Sequence, residues 1–92
     1  MRFAWNREKA ATNLAKHGVT FAEAASVFED PLAATYADPF HSRGEERFLT
    51  LGHSRLGRLL VVAHTELENE IIRIVSARRA TARERHAYTE EG

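Results

Sequence analysis

From residue 33 onward, four strand-like runs follow one another with gaps too short for anything but tight connections. The runs are 33–37, 46–51, 59–65 and 71–77. Turn-prone residues separate them: Asp38-Pro39, then Ser42-Arg43-Gly44, then 54–57 and 66–70. A parallel neighbour needs a crossover of a dozen or more residues, so this spacing predicts an antiparallel meander.

The first third of the chain has a different period. Phe3-Ala4-Trp5 reads as an edge strand or a strap across the core. Asn6 can cap a helix over 7–17, and Gly18 suits the position just past its end. Thr20 with Glu23 has capping-box spacing, and Phe21, Ala24, Ala25 and Phe28 fall at i, i+3, i+4 and i+7. Asp30-Pro31 ends that helix. Near the C-terminus, Thr81 and Glu84 repeat the capping-box spacing ahead of a helix over 83–90. The expectation is an α+β fold: two N-terminal helices, a twisted antiparallel meander and a C-terminal helix. With 92 residues and no internal repeat, residues 1–92 are read as one domain.

Charge narrows the function. Lysine plus arginine equals aspartate plus glutamate at thirteen each, so the net charge is zero. Its distribution is uneven. Residues 1–19 carry four basic side chains and one acidic, and 71–85 carry five arginines against Glu84 alone. Residues 20–40 hold Glu23, Glu29, Asp30 and Asp38 with no base. If the termini meet, they form one basic patch on a neutral protein, which argues for a focused anionic site over non-specific nucleic-acid coating. There are no cysteines, which excludes a disulfide framework, a thiolate metal site and a cysteine nucleophile. The longest apolar run, 59–63, is too short to span a bilayer, and the N-terminus lacks a signal peptide's apolar stretch, so the cytoplasm is the default. The five histidines show no metal-binding spacing, and no phosphate loop or nucleophile elbow occurs.

The candidate residues each carry two readings. Arg78 and Arg79 stand where the last strand leaves the sheet, just before a helix N-terminus that itself attracts anions. Strict alternation would place Ile72, Ile74, Ser76 and Arg78 on one face of that strand. His17, beside Lys16, is either an acid–base group or an ordinary complement to a helix C-terminal dipole. Lys9, Asn13 and Lys16 form a polar stripe that is solvated unless it turns toward Arg78. Arg47 and Arg73 sit among apolar residues and either line a groove or pair with Glu45 and Glu46. Glu84 and Tyr88, four apart, serve as acid and base or as cap and core.

Taken together, "FAWNREKAATNLAKHGVTFAEAASVFEDP" (3–31), "EERFLTLG" (45–52), "LLVVAHT" (59–65) and "IRIVSARRATARERHAY" (72–88) resemble the BrnT toxins. The set of Trp5, Lys9 and Asn13, the KHGV run, S-A-R-R-A-T and Tyr88 carries the resemblance along nearly the whole chain. It implies a RelE-like ribonuclease toxin of a type II toxin–antitoxin system that cleaves RNA without metal or cofactor and arrests growth. It also implies a BrnA antitoxin with a ribbon-helix-helix domain, through which the complex represses its own operon. The positions carried over are Lys16, His17, Arg47, Arg78, Glu84 and Tyr88, with Trp5 and Lys9 as secondary. His17, Arg47, Arg78, Glu84 and Tyr88 are the candidates for chemistry, and Lys9, Lys16 and Trp5, joined by Arg79 from its place at the strand end, for RNA binding. The competing reading is a non-catalytic module whose arginine cluster holds an acidic partner segment. A DNA reader acting alone is weaker, because no helix-turn-helix precedes the arginine-rich helix.

Overall fold

The computed structural model describes residues 1–41 and 44–91; Ser42 and Arg43 of the expected turn lie outside the described residues. Strand β1 (Arg2–Ala4) leads into helix α1 (Arg7–His17) and helix α2 (Phe21–Ser26), which tightens into a 3₁₀ turn over Val27–Glu29. Strands β2 (Ala34–Ala37), β3 (Phe48–His53), β4 (Leu59–Leu67) and β5 (Ile71–Arg79) follow, and helix α3 (Ala82–Glu91) ends the chain.

The caps lie where the sequence predicts them. Asn6 accepts from the Lys9 N–H at 3.0 Å, and Thr20 from the Glu23 N–H at 3.0 Å. Gly18 takes φ +69°, a left-handed C-cap that a side chain would strain. Past Ser26 the second helix tightens, and Asp30 turns extended before Pro31.

The sheet corrects one expectation. Its order is β1-β5-β4-β3-β2, and β2 to β5 form the antiparallel meander, but β1 pairs with β5 in parallel. The sheet is therefore mixed. Two helices and three strands intervene between β1 and β5, so the length a parallel pairing requires is present. β3 also starts at Phe48, which leaves Arg47 in the preceding loop and not within a strand.

Two apolar clusters fill the two faces. On one, Val19, Phe21, Ala24 and Val27 from the α1–α2 side meet Leu60, Val62, Ile74 and Ala77, all nearly or fully buried. On the other, Leu51, Leu59 and Val61 pack with Leu49, Ala80 and Tyr88 beneath α3. Each fully buried aliphatic side chain contributes about 1.5–3 kcal/mol.

β5 breaks the alternation expected of it. Ala63 pairs with Ser76 and His64 with Ile74, so Val75 is an extra residue, a bulge. Ile72, Ile74 and Ala77 are buried together, whereas Ser76 is exposed. The face therefore changes at Val75. Arg78 does not share a face with Ile72 and Ile74; with Ser76 it turns to the side that α3 only partly covers. Arg78 and Arg79 are still in the strand, paired with Val61 and Leu60.

β1 covers only the first three residues of β5. Beyond it, Asn13 of α1 takes the place of a strand. Its amide donates to Ala77 O at 2.9 Å and to Val19 O at 3.0 Å, and accepts from the Ala77 N–H at 3.0 Å. That satisfies buried backbone groups that would otherwise be costly.

Candidate active site

Two hollows meet at Ser76. The first, about 370 Å³, lies on the open face of the sheet and is lined by Asp38, Phe40, His41, Arg47, Leu49, Val61, Ala63, Ser76 and Arg78. The second, about 500 Å³, is a groove between α1 and the bulge, lined by Asn6, Glu8, Lys9, Thr12, Asn13, Lys16, His17, Val75 and Ser76. Asn13 explains the groove: by binding the edge of β5 it holds the polar stripe of α1 against the strand.

Arg78 is fixed from behind. Its Nη1 and Nη2 donate to Glu84 Oε1 and Oε2 at 2.8 and 2.9 Å, a fork-to-fork pair, and Nη1 also reaches Arg79 O at 3.3 Å. Glu84 also accepts from the Thr81 N–H at 2.8 Å, while its own N–H donates to Thr81 Oγ1 at 3.2 Å. The capping box and the arginine clamp thus share one carboxylate. The Arg78 hydrogen bonds, with the Thr81 N–H, hold the Glu84 carboxyl at about 2 against the opposing effect of burial. Both side chains are partly exposed, so solvent screens much of that interaction. Its value is orientation.

The remaining predicted residues are dispersed. Lys9 and Lys16 are exposed on the α1 groove, and His17 lines it half-buried. Arg79 leaves β5 one residue after Arg78, toward the opposite face, where its charge adds to the lowering of the Glu23 carboxyl that Arg58 chiefly causes. Trp5 packs edge-on against Phe21, ring centroids 6.1 Å apart, outside both hollows. Tyr88 donates to Asp30 Oδ2 at 2.7 Å and meets the His53 ring edge-on at 4.9 Å. Burial first, then the Asp30 carboxylate, pushes its phenol up to about 12. Tyr88 therefore lines a separate hollow with Leu32, Tyr36 and Leu51. Arg73 pairs with Glu45. The structure brings Arg47 to Arg78, and Lys9, Lys16 and His17 to the adjoining groove. It leaves Arg79, Trp5 and Tyr88 elsewhere.

Sequence reasoning missed Ser76, Asp38, Phe40 and His41. Ser76 joins the hollows only because of the bulge, for which period counting gives no signal. The others lie in a loop, where no periodicity marks which side chains converge. Among the described residues, no three His, Cys, Asp or Glu side chains group as a metal site, and no helix is long and apolar enough to cross a membrane. What the arrangement can do chemically is hold a phosphate diester between two guanidinium groups, with ammonium and imidazole groups alongside.

A family model described as a ribonuclease toxin, BrnT, of type II toxin–antitoxin systems matches residues 5–84. No curated protein sequence matches significantly. Among solved structures, the chain is similar to the crystal structure of the Brucella abortus ribonuclease toxin, BrnT, at 23% identity and a TM-score of 0.65. That match covers 88% of this chain and 97% of the other, and at this identity it speaks to the fold.

Proposed function

The chain belongs to the BrnT family, the ribonuclease toxins of type II toxin–antitoxin systems, and we propose that it cuts RNA without a metal ion, through the substrate's own 2′-hydroxyl. The O2′–P bond forms and the P–O5′ bond breaks, leaving a 2′,3′-cyclic phosphate and a 5′-hydroxyl. The observation that carries this reading is the pairing of Arg47 with Arg78 in one hollow, with Arg78 held in place by Glu84. Guanidinium groups so placed stabilise the charge that develops on the phosphoryl oxygens.

The geometry supports the following division of roles. A carboxylate held at about 2 is a weak base, so Glu84 acts by positioning Arg78. Tyr88, engaged by Asp30, serves the packing of α3. Proton transfer from the α1 side falls to His17, with Lys16 beside it and Lys9 further along the groove as contacts for the RNA backbone. Arg79 and Trp5 remain candidates for more distant stretches of RNA. We read the fold as RelE-like, the setting as cytoplasmic and the activity as needing no cofactor. Membership of a toxin–antitoxin family implies an antitoxin partner. We take it to be a BrnA-type ribbon-helix-helix protein that also brings the complex to operator DNA.

Incubating partner-free protein with RNA in EDTA tests the reading. Cyclic-phosphate ends are expected, and Arg78→Ala should slow their formation about 10²–10³-fold. Unchanged cleavage by Arg78→Ala would move the site elsewhere on the molecule. Absence of cleavage by the unmodified protein would favour the non-catalytic module, whose arginines hold an acidic partner segment.

A further inference from the structure

The loop after β2 places an imidazole in the arginine hollow. Asp38 is 6% exposed, and its N–H donates to Arg47 O at 2.8 Å, which ties the start of the loop to the residue ahead of β3. Its Oδ1 accepts from the Phe40 N–H at 3.2 Å, curling the chain back. Its Oδ2 lies 2.9 Å from His41 Nδ1. A carboxylate only accepts, so Nδ1 carries the hydrogen, and in the neutral ring the lone pair is on Nε2. The His41 side chain is 65% exposed, so it is open to a substrate.

We propose that His41 is the general base of the cleavage reaction, with Asp38 as its positioning residue and Phe40 as a stacking surface for the adjacent nucleobase. An i,i+3 histidine–aspartate pair on a surface is usually without consequence. Two observations separate this one: the aspartate is buried, and the ring shares its hollow with Arg47 and Arg78. Among the described residues that line this hollow, Asp38, Arg47 and Arg78 are the charged groups alongside the ring. A carboxylate fixing the tautomer of an imidazole base recurs in unrelated hydrolytic sites. Phe40, at 86% exposure, otherwise leaves a large apolar ring in water, and such rings are platforms for unstacked bases.

The inference rests on the ribonuclease reading and completes its proton balance. The 2′-hydroxyl proton passes to His41 Nε2 as O2′ attacks phosphorus. The P–O5′ electron pair leaves on O5′, which takes a proton from the His17 imidazolium in the groove beyond Ser76. Exchange with water then resets both rings.

The test uses the full chain without its antitoxin and a short RNA in EDTA. His41→Ala should lower kcat about 10²–10⁴-fold and abolish the acid limb of the rate–pH profile. Asp38→Asn should lower kcat while leaving KM close to that of the unmodified protein, because the ring loses the acceptor that orients it. Phe40→Ala should raise KM more than it lowers kcat, and His86→Ala, on the outer side of α3, should change neither. A His41→Ala rate within twofold of the unmodified protein, with its acid limb intact, would overturn the assignment and leave the ribonuclease reading standing. No cleavage by the unmodified protein would bring both down. Independently of any variant's folding, titration of the unmodified protein with a nucleoside 3′-monophosphate should shift the His41 imidazole resonances. Unshifted resonances at saturation would also overturn the assignment.

Discussion

His64 is sealed in the sheet with one hydrogen-bonding partner among the described residues. Its Nε2 lies 2.7 Å from Thr50 Oγ1, which in turn lies 2.7 Å from Thr35 Oγ1, while Nδ1 is buried without a partner. Phe28 meets the ring edge-on at 4.9 Å, and Phe48 stacks on it at 5.9 Å. Burial pushes its pKa down to about 4. The folded value lies below the ordinary 6.5. The neutral ring's stability is therefore full above pH 6.5 and drains as pH falls toward 4, by up to about 3 kcal/mol. Urea midpoints should drop accordingly between pH 7 and pH 4.5, and His64→Leu should flatten that slope even if it is less stable at neutrality. A slope unchanged in His64→Leu would assign the acid lability to another group. His64 was legible in the sequence only as one scattered histidine among five. Asn13 was legible only as part of a polar stripe, because its real partner is a strand edge sixty-four residues away.

At the scale of elements, local signals did best where a structure closes on itself. The caps at Asn6, Thr20 and Thr81 and the stop at Pro31 depend on neighbours within a few residues, and they lie where the spacing puts them. The parallel β1 was not legible, because three residues carry no period and their partner is at the other end of the chain. Nor was the docking of α3. This helix is pinned to the sheet by Tyr88, which joins the Leu51–Leu59–Val61 cluster and bonds Asp30 just past the 3₁₀ turn. Tyr88→Phe keeps the ring and loses a hydrogen bond to a carboxylate, at about 1.5–3 kcal/mol. Amide exchange should quicken throughout α3 while β4 stays protected. Equal acceleration in both would mean that helix and sheet open as one unit.

For the whole molecule, the two basic ends of the sequence do converge on β5, as the packing of α1 against that strand shows. A neutral chain thereby presents Lys9, Lys16, Arg47 and Arg78 along two hollows that touch at Ser76. If one RNA strand follows both, the logarithm of kcat/KM should fall with the logarithm of salt concentration at a slope of roughly −3, given about 0.7 per phosphate contacted. A flat response would separate the groove from the hollow. What joins them is one residue of length in β5, and this makes the site a matter of arithmetic. Side chains in a strand are assigned to faces by odd and even position, and Val75 shifts the count by one. No substitution at Ser76 or Arg78 by itself moves either to the other side of the sheet. Closing the bulge with every residue kept would exchange them with the packed face, whereas deleting Val75 would remove the bulge and leave both where they are. Such a site is written in register as much as in residue identity.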